Sequence, residues 1–162
     1  MNQAKSGIAG VVLSVLLAAC GGHTTASGPL VGAWSVTETA DGLTEVTTLD
    51  LNGDGTASAE VSLSGSIQGE SCSGSLLLSG YTWTSLGSTL TISGTLTCSG
   101  TIDCGGAALD CSALTTGSGM GGMSIIVAST CTYTLSGGDD SLSLTCTADG
   151  GTPSTTVLTR QG

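Results

Sequence analysis

From Pro29 onward, apolar residues recur at every second position in short runs separated by Gly, Asn, Asp and Ser. Successive side chains of a strand point to opposite faces, so this period gives each run one apolar and one polar side. No window of helical length in the body shows a 3.6-residue periodicity. The body of the chain is therefore predicted to be all-β and antiparallel, because short alternating runs with frequent turn residues make hairpins. With 27 glycines and only 9% charged residues, composition alone would suit a low-complexity chain. Sustained alternation is what such chains lack. Trp34, Tyr81, Trp83 and Tyr133 are the only aromatic residues, so Leu, Val, Ile and Ala must fill the core.

Three hairpins follow from matching apolar faces. Thr47, Leu49 and Leu51 face Ala57, Ala59, Val61 and Leu63 only across an odd loop, which predicts a turn at Gly53-Asp54-Gly55 with Gly55 in the left-handed region. A second hairpin is read with Tyr81 opposite Ile92 and Trp83 opposite Leu90, around Leu86-Gly87. In the third, pairing Leu135 with Leu142 around Gly138-Asp139 also sets Tyr133 against Leu144 and Cys131 against Cys146. Opposed residues at a non-hydrogen-bonded position have Cα atoms roughly 4.5–5.5 Å apart, a span that a disulfide bridges.

The body holds six cysteines: Cys72, Cys98, Cys104, Cys111, Cys131 and Cys146. An even number in an exported chain reads as three disulfides, and fixing Cys131 to Cys146 leaves three of the fifteen possible pairings. Of these, Cys72–Cys98 with Cys104–Cys111 is preferred, although the register of the second hairpin sets Cys98 opposite Ser75 and disfavours the first bond. A zinc or iron–sulfur site is not expected, since no Cys-x-x-Cys pair and no nearby histidine is present.

The first residues differ from the body. Lys5 makes the start positive, residues 8–19 form an apolar stretch too short for the roughly 20 residues of a membrane span, and small residues precede Cys20. This is the pattern of a helical export signal. Leu17-Ala18-Ala19-Cys20 resembles the lipobox of bacterial lipoproteins. That resemblance implies a signal peptide over residues 1–19 and a mature chain of 143 of the 162 residues. It also implies acyl chains such as palmitate on Cys20, and lasting membrane attachment through two or three of them. Gly21 in place of an acidic residue resembles the sorting pattern of the cell outer membrane in Gram-negative lipoproteins. Residues 20–28 read as lipidated cysteine plus flexible linker, with a root-mean-square reach of about 15 Å for eight residues. The disulfide-bonded β domain is expected over residues 29–162, outside the cytoplasm.

The chemistry open to such a domain is narrow. The formal charge is -10, and after removal of Lys5 only Arg160 opposes 12 acidic residues, which excludes nucleic acid as a partner. Asp50, Asn52 and Asp54 open like a calcium loop, but Val61 stands where a bidentate Glu is needed, so a hairpin turn is the expected reading and no metal or cofactor is assigned. The mature chain has no lysine, and its one histidine, His23, lies in the linker, so no nucleophile has a base in the body. Glu38, Glu45, Glu60 and Glu70 could form a hydrolytic carboxylate pair, but their spacing marks none of them, and no enzyme is expected. Met120 and Met123 fall in a Gly-rich stretch read as a loop, with residues 115–122 as its most mobile part.

Leu30-Val31-Gly32-Ala33-Trp34, the turn Asp54-Gly55-Thr56, Tyr81-Thr82-Trp83, Ser88-Thr89-Leu90-Thr91-Ile92 and the terminal Leu158-Thr159-Arg160 together resemble the lipocalin-like domains of bacterial lipoproteins. The resemblance implies an antiparallel up-and-down barrel of eight strands, with a β-sandwich as the alternative architecture. It also implies contact between Trp34 and Arg160 at the closed end, within about 6 Å. Six cysteines, the Gly-rich stretch over residues 99–122 and the few aromatics depart from that pattern. Such a barrel is expected to accept a small apolar ligand among Leu49, Val61, Leu90, Ile92, Leu135 and Leu142. The alternative is a structural or interaction protein of the cell envelope without an internal ligand, and the weaker one a carboxylate hydrolase.

Overall fold

The computed structural model describes residues 28–67, 69–110, 129–147 and 152–162. They form nine strands: β1 (Gly32–Ala40), β2 (Leu43–Leu51), β3 (Thr56–Ile67), β4 (Glu70–Leu86), β5 (Thr89–Cys104), β6 (Ala107–Asp110), β7 (Ser129–Ser136), β8 (Ser141–Cys146) and β9 (Ser154–Arg160). All pairings are antiparallel, and β1 to β5 follow one another around the sheet. The near half of β5 then pairs β7, β7 pairs β8, β8 pairs β9, and β9 returns to β1. Eight strands thus close into a barrel in chain order, and β6 adds only to the far half of β5. The architecture is the barrel and not the sandwich. The expected signal helix, Cys20, His23, Cys111, residues 115–122 and Met123 lie outside the described residues.

Two of the three registers match the alternation. Leu51 faces Ala57, Leu49 faces Ala59 and Thr47 faces Val61, with Gly55 at φ 83° in the turn. Leu135 faces Leu142, Tyr133 faces Leu144 and Cys131 faces Cys146, whose Cα atoms lie 4.3 Å apart in a disulfide. The second hairpin is corrected by two residues: Trp83 faces Ile92, Ser85 faces Leu90, and the turn is Gly87-Ser88. A two-residue slip leaves every side chain on the same face, so alternation does not distinguish the two registers. Turn chemistry does, because Gly87 adopts φ 60° at a position that few other residues tolerate. The Tyr133 hydroxyl donates to the Gly87 carbonyl at 2.9 Å, and the Tyr133 amide donates to the Ser88 carbonyl at 2.8 Å, tying this turn to β7.

Further from the turn the sheet gains residues strand by strand. One level is crossed between Ala57 and Ala59 in β3, between Tyr81 and Leu78 in β4, and between Gly94 and Cys98 in β5. The two-residue step in β3 is regular; the three- and four-residue steps in β4 and β5 carry the extra residues of β-bulges, which sharpen the local twist. They also correct the cysteine pairing. Beyond the bulge Cys98 sits opposite Leu78 and Cys72 opposite Cys104, so the bond is Cys72–Cys104 with Cα atoms 4.1 Å apart, and not Cys72–Cys98 or Cys104–Cys111. Cys98 is disulfide-bonded as well.

The interior divides in two. A main cluster contains Trp34, Leu49, Leu51, Trp83, Leu90, Ile92, Leu142, Leu144 and Leu158, with the Cys131–Cys146 bridge inside it. A second cluster, Leu63, Cys72, Leu76 and Ile102 with Leu43 and Cys104 against it, lies on the inner face of the far half of β2 to β5. The strands that complete the barrel do not pair along that half. β9 pairs β1 only at Trp34 and Ser35, and β7 pairs β5 only from Thr89 to Ile92. Among the described residues the barrel is closed at one end only, and its long five-stranded wall continues past the closure toward an open end.

Candidate functional site

The closed end is built around one cation on one indole. Trp34 is fully buried, and its Nε1–H donates to the Leu30 carbonyl at 2.8 Å. The Arg160 guanidinium carbon lies 4.2 Å from the Trp34 ring centroid, within the range of a cation–π contact. Arg160 Nε donates to the Asp139 carbonyl at 2.9 Å and Nη1 to the Val31 carbonyl at 2.8 Å, while Nη2 donates to the Pro29 carbonyl. One side chain therefore joins the N-terminal segment, β9 and the β7–β8 turn. Trp83 closes the same end: its Nε1–H donates to the Asn52 carbonyl at 3.0 Å, and its amide donates to the Gly55 carbonyl at 2.8 Å.

Gly32 is explained by this clamp. It adopts φ 136°, and a Cβ there would come within 2.8 Å of Arg160 Nη1. Gly32→Ala is expected to cost about 1–3 kcal/mol, the range for a side chain forced into sparsely populated backbone space. A urea unfolding midpoint unchanged from the parent would contradict it.

Toward the open end, three cross-strand rows line the inner wall. The first runs Val36, Thr47, Val61, Leu76 and Gly100; the second Glu38, Glu45, Leu63, Gly74 and Ile102; the third Ala40, Leu43, Gly65, Cys72 and Cys104. Directly paired residues share a face, so the wall is apolar over β3 to β5 and carries two carboxylates over β1 and β2. Leu63, Leu76 and Ile102 are buried, Glu38 is exposed and Glu45 half-buried. Like charges directly opposed across strands are destabilising. Glu45 is partly compensated by the buried Thr47 hydroxyl, which donates to Glu45 Oε1 at 3.3 Å.

The expected ligand-lining residues lie deeper. Leu49, Leu90, Ile92 and Leu142 belong to the main cluster with Leu135 packed against it, and Val61 is fully buried between the clusters. Sequence reasoning set Leu63 on the inner face without naming it as lining, and missed Leu43, Leu76 and Ile102 altogether. Leu76 and Leu78 are out of phase with Tyr81 and Trp83, and only the bulge turns all four inward. The carboxylates do not gather in one cleft. Glu38 and Glu45 are side-by-side neighbours on the inner face, Glu60 is exposed with the Ser62 hydroxyl donating to it at 3.5 Å, and Glu70 lies against Gly105 at the open end.

Residues 52–56 form a turn rather than a calcium loop. Asp54 Oδ1 accepts from the Thr56 amide at 2.9 Å and from the Thr56 hydroxyl at 2.6 Å, and Asn52 Nδ2 donates to Thr56 Oγ1 at 3.1 Å. Asp50 alternates with the buried Leu49 and Leu51 and so faces outward. Among the described residues no three metal-ligating side chains come together.

Burial pushes the Tyr81 phenol above its ordinary value near 10. The folded state then holds the proton more tightly than the unfolded chain, so stability is fully present below about pH 10 and declines as pH rises through that region. Tyr81→Phe is expected to flatten the fall in urea midpoint across that pH range; an unchanged slope contradicts the assignment. Comparisons with family models, with curated proteins and with solved structures found no match to this chain.

Proposed function

We propose that this protein is a lipid-anchored extracytoplasmic lipoprotein whose lipocalin-like barrel holds a small apolar ligand against the wall of its open half, without catalysis. The observation that supports the ligand is the division of the interior. The main cluster, with its two tryptophans, packs the closed end, whereas Leu43, Leu63, Leu76, Ile102 and the Cys72–Cys104 bridge form a separate apolar surface beyond the closure. The disulfides agree with an oxidising compartment outside the cytoplasm. Among the described residues no helix is long and apolar enough to cross a membrane, so attachment rests on the acyl chains of Cys20, in the outer membrane where the cell has one.

The test is titration with a neutral apolar fluorophore such as N-phenyl-1-naphthylamine. Saturable one-to-one binding is expected, displaced by a fatty acid and abolished by Leu76→Trp at little cost in stability. The envelope-structural reading has its own support, since Leu49, Val61, Leu90, Ile92 and Leu142 are each 2% exposed or less, and Leu76 and Ile102 on the open wall are no more exposed. If the open half is equally filled, the parent protein binds no probe, and Leu76→Trp destabilises it by about 1–3 kcal/mol through overpacking.

A further inference from the structure

The chain enters the barrel at the closed end and is held there. The carbonyls of Pro29 and Val31 both accept hydrogen bonds from Arg160, and Leu30 between them is buried. Only residues 21–28 separate that point from Cys20. Fully drawn out, eight residues span at most about 29 Å, and their root-mean-square reach as a Gly-rich chain is about 15 Å. The barrel is taller. β4 runs 17 residues from Glu70 to Leu86, about 56 Å along the strand. At the usual barrel tilt that is about 40 Å along the axis.

We infer that the domain stands with its closed end toward the membrane that anchors it and its open end toward the aqueous phase; this rests on the lipid anchor at Cys20. A tether shorter than the barrel cannot pass along its flank and bring the open end face down on the same bilayer. Charge acts in the same direction. Glu38, Asp41, Glu45, Glu70 and Asp103 all lie in the open half or at its tips, with no lysine or arginine to offset them, and an anionic bilayer repels that end. The closed end also carries Asp50, Asp54, Asp139 and Asp140. It adds the cation of Arg160 and the side chain of Leu86, 86% exposed at the β4–β5 tip. A ligand held on the open wall therefore exchanges with the aqueous compartment, not with the lipid of the anchoring leaflet.

The experiment uses the full lipidated chain reconstituted in phosphatidylcholine–phosphatidylglycerol vesicles that carry a headgroup acceptor dye. Single cysteines at exposed positions, Ser88→Cys at the closed end and Ala40→Cys at the open end, are labelled with a donor under non-reducing conditions so that the native disulfides stay closed. Severalfold stronger energy transfer from position 88 than from position 40 is expected. Inserting about twelve Gly/Ser residues within residues 21–28 lifts the extended tether above the barrel height and is expected to narrow that difference. Equal or reversed transfer in the parent overturns the orientation while leaving the anchor intact. Failure of the parent to float with vesicles, or flotation retained by Cys20→Ser, overturns the anchor reading and the orientation together.

Discussion

Trp34→Ala is expected to lower the unfolding free energy by about 3–5 kcal/mol, the range for deleting a large aromatic side chain from a packed core. The effect belongs at the top of that range because the indole does three things. It fills the bottom of the barrel with no exposure to solvent, donates its N–H to the Leu30 carbonyl, and supplies the face on which Arg160 rests. Without the ring, the guanidinium loses its apolar platform while still holding the carbonyls of Val31 and Asp139. Arg160→Ala should therefore be strongly non-additive with Trp34→Ala in a double-mutant cycle. Trp34→Phe retains a ring but not the donor, and separates the hydrogen bond from the packing. Urea unfolding is the measurement, and a loss under about 1 kcal/mol for Trp34→Ala would remove the clamp from the account of this fold.

Opening the disulfides is expected to have a comparable effect. In the chain-entropy model, closing a loop of 15 residues contributes about 3 kcal/mol and one of 32 residues about 3.7 kcal/mol. Those are the sequence separations of Cys131–Cys146 and Cys72–Cys104. Together they approach the whole stability of an ordinary domain, about 5–15 kcal/mol. Dithiothreitol is therefore expected to leave the protein largely unfolded at 37 °C, as judged by loss of the β signal in circular dichroism. The two bonds should differ in what they hold. Cys131–Cys146 lies in the main cluster, so its paired alanine variant should lower the midpoint of the whole barrel. Cys72–Cys104 lies in the second cluster, so its loss should first raise amide exchange in the far halves of β3, β4 and β5. Retained structure after full reduction, shown by six titratable thiols in the mature body, would overturn the view that this core depends on its bridges.

How far the fold was legible follows from parity. The alternating residues Leu49, Leu51, Ala57, Ala59, Val61, Leu63, Leu142 and Leu144 all lie on the inner side, and the odd loop at residues 53–55 and the Cys131–Cys146 bond followed from that alternation alone. Parity is blind to slips of two, so the pairing register of this hairpin was off by two residues and its turn, at Gly87-Ser88, by one. It is misled by bulges, so the hairpin register that set Cys98 opposite Ser75 could not find the Cys72–Cys104 bond. The open wall was missed for the same reason. Leu76 reads as out of register with Trp83 until the extra residues of β4 and β5 are in place.

The resemblance supplied the contact of Trp34 with Arg160; by itself, the sequence determined which side chains face inward within each uninterrupted run and that the strands are antiparallel. These depend on neighbours two residues apart or on a short turn, and local geometry is the same wherever the hairpin sits. Only the tertiary structure decided that β9 returns to β1 over just two residues, that the five-stranded wall outruns its three-stranded cover, and that the apolar interior splits in two. Those are properties of closure. How many residues each strand contributes to a given level of the barrel is set by twist and bulges accumulated across neighbouring strands, and no local period in the chain records that sum.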